Sequence, residues 1–129
     1  MAKPNRPAAP RPPSVVFRTC ELYDKTLAIR AREQGIGQKL IDFKNTKLEN
    51  KMQPFGKTDR AFSNEGNFAG LRHAHITPDV SIVYRLHSNN PSYIDLYGLF
   101  THDELGTGQP PHLRTQSSMG KKLAGQQFK

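Results

Sequence analysis

Between residues 71 and 105 the apolar and polar positions repeat every second residue. Leu71, His73 and His75 alternate with Arg72, Ala74 and Ile76. Val80, Ile82, Tyr84 and Leu86 alternate with Ser81, Val83 and Arg85, and Ile94, Leu96, Gly98 and Phe100 with Asp95, Tyr97, Leu99 and Thr101. A period of two puts successive side chains on opposite faces, so each run predicts a strand. Thr77–Asp79, with Pro78 inside it, supplies one turn and Ser88–Pro91 the next, which makes the three strands an antiparallel meander.

Upstream the pattern changes. Ser14–Thr19 (SVVFRT) is a short β-branched and aromatic run and predicts a first strand. Cys20, Tyr23, Leu27 and Ala31 then recur at helical spacing until Gly35 and Gly37 interrupt them. Ile36, Leu40 and Phe43, flanked by Ile41, Leu48 and Met52, predict a second helix that Pro54 and Gly56 stop. Residues 53–69 read as a loop. The order β-α-α-β-β-β predicts an α+β fold: a helical hairpin packed on a small twisted antiparallel sheet.

The two ends read differently. Residues 1–13 hold five prolines and three alanines, a composition that builds no core and predicts an extended, disordered arm. Residues 107–129 are rich in Gly, Gln, Ser, Pro and Lys and predict a flexible tail, with docking points at Leu123 or Phe128. The folded domain is then 14–106. At 129 residues the chain has the length of one domain. Its single cysteine, Cys20, permits no internal disulfide, so a reducing, cytoplasmic setting is the expectation. No stretch approaches the ~20 apolar residues of a membrane helix, and the basic start MAKPNRPAAPRPP has no apolar run behind it, unlike a signal peptide. No membrane partner is expected.

Charge narrows the partner. The net charge is +8, which favours a polyanion. Residues 1–13 contribute +3 and residues 111–129 contribute +4, while 14–110 is nearly balanced with 12 bases and 11 acids. Lys39, Lys44, Lys47, Lys51, Lys57 and Arg60 cluster in the helical layer and the loop after it. They could track a phosphate backbone or simply form a solvated face.

Candidate chemistry lies at one rim of the meander. His75 ends one strand, Asp79 precedes the next, and His102 follows the last, so antiparallel pairing brings all three to one edge. Neighbouring strands lie ~4.8 Å apart, so the outer two are separated by roughly 10 Å, a gap that suits a phosphodiester held between two imidazoles. One imidazole could take a proton from an attacking hydroxyl and the other could give one to the leaving oxygen. Asp79 could orient a ring or simply occupy the turn position that aspartate prefers. This chemistry needs no metal or other cofactor, although His73 and His75, at i, i+2 on one strand face, could also bind zinc together with His102. His87 and His112 read as incidental. Phe62 and Phe68, in the loop before the meander, could stack on single-stranded bases; core packing is the other role open to Phe68, Tyr84 and Phe100.

The stretch GNFAGLRHAHITPDVSIVYRL (66–86), followed by GLFTHDEL (98–105), resembles YafQ-type toxins of the RelE/ParE superfamily, small toxins of type II toxin–antitoxin systems. The resemblance is strongest over about 40 residues, and the element order extends it to 14–106. It implies a ribosome-dependent endoribonuclease that enters the A site and cuts mRNA there by attack of the RNA 2′-hydroxyl, with an antitoxin as protein partner. It implies His102 as the leading acid–base residue, His75 and Asp79 in support, and Arg72 and Arg85 on phosphate or rRNA. Two positions depart from the pattern. Phe62 stands where a further catalytic histidine is expected, with His73 as a candidate to compensate, and Leu105-Gly106 stands where an aromatic residue is expected. Two other readings follow from these departures and from the superfamily: a non-catalytic ribosome or RNA binder on the same fold, and a gyrase inhibitor like those of the ParE branch.

Overall fold

Strand and helix propensities alternate along the chain as the patterning predicts, and the computed structural model places them in one sheet with helices on both faces. It describes residues 15–33, 35–62, 66–88 and 92–129. The proline-rich arm, Ser14 and most of the second predicted turn lie outside the described residues. The elements are β1 (Val15–Arg18), α1 (Glu21–Arg30), α2 (Ile36–Glu49), β2 (Arg60–Ala61), β3 (Arg72–His75), β4 (Val80–Leu86), β5 (Ser92–Thr101), α3 (His102–Leu105) and α4 (Leu113–Ala124).

The sheet order is β1-β5-β4-β3-β2. The meander β3-β4-β5 is antiparallel, as expected. The sheet as a whole is mixed, because β1 pairs with β5 in parallel. The two-helix crossover allows this: a parallel neighbour needs a long connection, and α1 and α2 supply it. The short strand β2, inside the segment expected to be a loop, adds to the far edge by pairing Arg60 with His73 and Ala61 with Arg72.

The helical hairpin covers one face. Tyr23 of α1 and Ile36, Leu40 and Phe43 of α2 bury themselves against Ala74, Ile82, Tyr84, Leu96 and Leu99. Leu96 and Leu99 share this face although strict alternation separates them. The register shifts between Val83 and Tyr84, where Val83 pairs with Gly98 but Tyr84 pairs with Leu96. This bulge inserts Tyr97 and inverts the parity of β5. Gly98 is required beside it, because a Cβ there would stand 2.5 Å from the Phe100 ring.

The opposite face carries a second core of Phe68, Leu71, Val83, Tyr97, Phe100, Leu105 and Leu123. Its cover corrects the expected flexible tail. Residues 113–124 form a regular helix, and Leu123 is only 1% exposed. The chain then returns beside α1: the Lys129 N–H donates to the Thr19 carbonyl and the Thr19 N–H to the Lys129 carbonyl, both at 3.1 Å. Phe128 packs on Tyr97 with ring centroids 4.7 Å apart. Burial of Leu123 and Phe128 outweighs a polar composition that by itself disfavours order.

Candidate active site

The bulge and the register set which side chains reach the rim. His75 pairs with Ser81, and Ser81 with Phe100, so these three stand in one row across the second face. His73, two residues back, stands on the same face. His102 lies two residues beyond Phe100, at the first turn of α3. Thr101 caps that turn: its hydroxyl accepts from the Glu104 N–H at 3.1 Å, and the Glu104 carboxylate accepts from the Thr101 N–H at 2.8 Å. Arg30 of α1 holds the same carboxylate at 2.5 Å. His102 is thus mounted on a turn braced by the helical hairpin.

The imidazoles of His75 and His102 meet edge to face, with centroids 5.2 Å apart. This corrects the expected gap between them. The strands are separated as anticipated, but Ser81 in the intervening strand is small and buried, so the two rings close over it. No phosphodiester fits between rings in contact; the open space lies beside the pair. A cleft of about 320 Å³ opens there, lined by Arg60, Phe62, His73, Ser81, His102 and Thr107 among others. Arg60 is the cation of the cleft, because its pairing with His73 turns it to the same face.

The electrostatics favour uncharged inner histidines. Burial pushes the His73 pKa down to about 4, with the Arg60 charge adding to the effect. Burial also lowers His75, and His102 and Arg60 contribute to that. His75 Nε2 is buried without a hydrogen-bond partner among the described residues, while its backbone N–H donates to Thr58 Oγ1 at 3.1 Å. A neutral imidazole with an uncommitted ring nitrogen can accept or return a proton. His102 is exposed and meets whatever enters the cleft. The Phe62 ring stacks on His73, with centroids 4.4 Å apart, and on Phe68 at 4.8 Å.

Other residues singled out from the sequence fall elsewhere. Asp79 is exposed in its turn, and among the described residues nothing joins it to either imidazole. Arg72 points to the helical face, where its Nε donates to Tyr84 Oη at 3.2 Å and its Nη2 lies 3.9 Å from Asp59. Arg85 donates to Tyr97 Oη at 3.3 Å. Lys47 is not part of a basic surface: it is 1% exposed, with Nζ 2.6 Å from Asp59 Oδ2 and 2.7 Å from the Gln53 carbonyl. Asp59 also accepts from Tyr84 Oη and, at 2.7 Å, from the Phe55 N–H. Lys51 is tied to Ser92 at 2.6 Å. Lys39 is exposed and Lys44 partly so, its Nζ 5.9 Å from the Phe17 ring centroid. Both belong to α2, and the sheet separates that helix from the histidines. Lys57 is exposed before β2. Of the basic residues proposed from the sequence, Arg60 alone lines the histidine cleft. His87, read as incidental, joins Arg18 on the buried Asp95, at 2.8 Å and 2.7 Å. Among the described residues no cluster of three His, Cys, Asp or Glu has the arrangement to hold a metal ion, so the zinc alternative has no such grouping to build on.

No protein-family model matches the chain, and no curated protein is detectably similar to it. Solved structures are. The E. coli DinJ–YafQ toxin–antitoxin complex matches with a TM-score of 0.57 at 20% identity, over 71% of this chain and 97% of that one. YafQ from E. coli strain BL21(DE3) matches with a TM-score of 0.55 at 20% identity, over 70% and 96%. The YoeB/ParE toxin from Agrobacterium tumefaciens matches with a TM-score of 0.55 at 16% identity, over 69% and 98%. The chain therefore has the fold of YafQ-type toxins of the RelE/ParE superfamily, as its sequence resemblance implies.

Proposed function

We propose that this chain is a toxin of the YafQ type that cuts mRNA in the ribosomal A site and is neutralised by a cognate antitoxin. The observation that carries the reading is the His75–His102 ring pair beside a cleft whose cation is Arg60. The fold shared with YafQ and YoeB/ParE structures supports the toxin class, and the DinJ–YafQ complex supports an antitoxin partner. Arg60 would hold the scissile phosphate and offset the charge that grows on its oxygens. His102, exposed at the cleft, would take the proton of the 2′-hydroxyl as the oxygen attacks phosphorus. His75, held neutral against it, gives that proton a second carrier. The imidazole pair then returns a proton to the departing 5′-oxygen, leaving a 2′,3′-cyclic phosphate and a free 5′-hydroxyl. The 11 acids and 19 bases of the chain favour approach to rRNA.

Adding the purified full-length chain to translating ribosomes and mapping mRNA ends tests this. Cuts within A-site codons are expected, with His102→Ala about 10²- to 10⁴-fold slower and still ribosome-bound. Intact A-site mRNA in the presence of folded protein would sink the catalytic reading. Phe62 favours the second reading, a ribosome or RNA binder without cleavage, because it places an aromatic platform where a proton carrier is expected. Translation arrest with uncut mRNA would select it. Inhibition of DNA supercoiling would instead select the gyrase alternative.

A further inference from the structure

Phe62 borders more than the histidine cleft. A second cleft of about 380 Å³ lies against it, walled by Asn67 and Phe68 on one side and by Leu113 and Gln116 of α4 on the other. Phe62 and Thr107 line both clefts, so the two adjoin at one aromatic ring. Its volume falls within the ~300–1,000 Å³ of small-molecule sites. Leu113 is 73% exposed, a large apolar side chain left at the mouth of the cleft, whereas Leu123 of the same helix is buried and Met119 packs partly buried against the second core. Asn67 is exposed and its side-chain amide has no hydrogen-bond partner among the described residues. Gln116 spends its amide N–H on the Gly106 carbonyl, at 2.9 Å, which fixes the side chain and leaves its carbonyl oxygen as an acceptor.

α4 is held there by close backbone approaches. A Cβ on Gly120 would stand 2.6 Å from Asn67 Cβ and 2.7 Å from the Asn67 carbonyl oxygen. A Cβ on Gly106 would stand 2.6 Å from the His112 carbonyl oxygen. Both glycines let the C-terminal segment come close enough to form the far wall. An aromatic ring, an apolar flank and amide groups at the edge form the set that recognises an unpaired base, by stacking on its face and hydrogen bonding to its rim.

We propose that this cleft is a base-binding subsite, built by α4, that takes the unpaired nucleobase next to the scissile phosphate. The inference rests on the RNA-cleaving reading for the identity of the strand, and the shared walls Phe62 and Thr107 set the subsite next to the histidine cleft. The subsite gives the C-terminal segment a part in choosing where the strand is cut.

The test uses the full chain with a short single-stranded oligoribonucleotide carrying 2′-O-methyl groups, which block cleavage, and reads amide chemical shifts. The resonances of Asn67, Leu113 and Gln116 should move together with those near His102, and Leu113→Ala and Asn67→Ala should weaken binding about fivefold or more. Both side chains are exposed, so both variants should fold. On ribosomes the same variants should change which nucleotide flanks the cut while His102→Ala stops cutting. Shifts confined to the histidine cleft, or unaltered affinity and cut-site preference in both variants, would overturn the subsite and leave the cleavage reading standing. Shifts at Leu113 and Gln116 with no cleavage on ribosomes would keep the subsite and remove the catalytic reading. An oligonucleotide that moves no resonance at any concentration reached overturns the subsite.

Discussion

Ser81 is the cross-strand neighbour of His75, and its hydroxymethyl group is small enough for the His75 and His102 rings to meet above it. A buried position beneath a ring pair tolerates little added volume. Ser81→Leu should separate the rings and cost about 1–3 kcal/mol of stability through overpacking. Cleavage should fall by far more than the lost stability accounts for. Chemical denaturation, set beside single-turnover cutting on ribosomes, checks this; full cutting by a folded variant would show that the ring contact is dispensable.

His73 predicts a direction for acid sensitivity. Its folded pKa, about 4, lies below its unfolded value near 6.5. The unfolded chain therefore binds the extra proton first as the pH falls. The stability that His73 contributes is complete above pH ~6.5 and is lost as the pH drops toward 4, at up to about 1.4 kcal/mol per pH unit. His75, also lowered by burial, adds in the same direction. Melting curves between pH 7 and pH 4.5 should show a steeper decline for the parent chain than for His73→Gln. Equal slopes would place the acid sensitivity elsewhere.

Lys47 and Asp59 make the opposite kind of prediction. Their ion pair is buried and shared with Tyr84 and Arg72. Lys47→Ala strands the Asp59 carboxylate in the core and should destabilise by about 3–5 kcal/mol. Ribosome affinity, measured at a temperature where the variant is folded, should stay at the parent value, because Lys47 does not reach the surface. A loss of affinity without a loss of stability would restore Lys47 to the phosphate-binding group.

Leu123 tests whether the C-terminal helix belongs to the fold. It is 1% exposed within the second core, so Leu123→Ala should cost about 2–5 kcal/mol. Gly120→Ala should destabilise as well, since the new methyl group meets the Asn67 backbone. Urea titrations of both variants check this; parent-like midpoints would mean that α4 is not docked in solution.

The sequence by itself determined the meander, the helical hairpin and the α+β class, because period-two and period-3.6 patterns are local and survive any tertiary context. It also picked out His75 and His102, since strand register carries chemistry from distant segments to one rim. Tertiary structure decided the rest. Local alternation cannot show that a bulge at Val83/Tyr84 moves Leu99 to the helical face, or that β1 runs parallel to β5. Lys47 looks like its neighbouring lysines until Asp59 arrives from the next loop to make its burial tolerable. Arg72 and His73 are adjacent in sequence, yet the pleat sends one to an internal carboxylate and the other to the cleft. α4 was not legible: its polar segment reads as a flexible tail with docking points at Leu123 or Phe128. Its order depends on an apolar sheet face that no local pattern reveals, and that same contact raises the wall of the cleft beside Phe62.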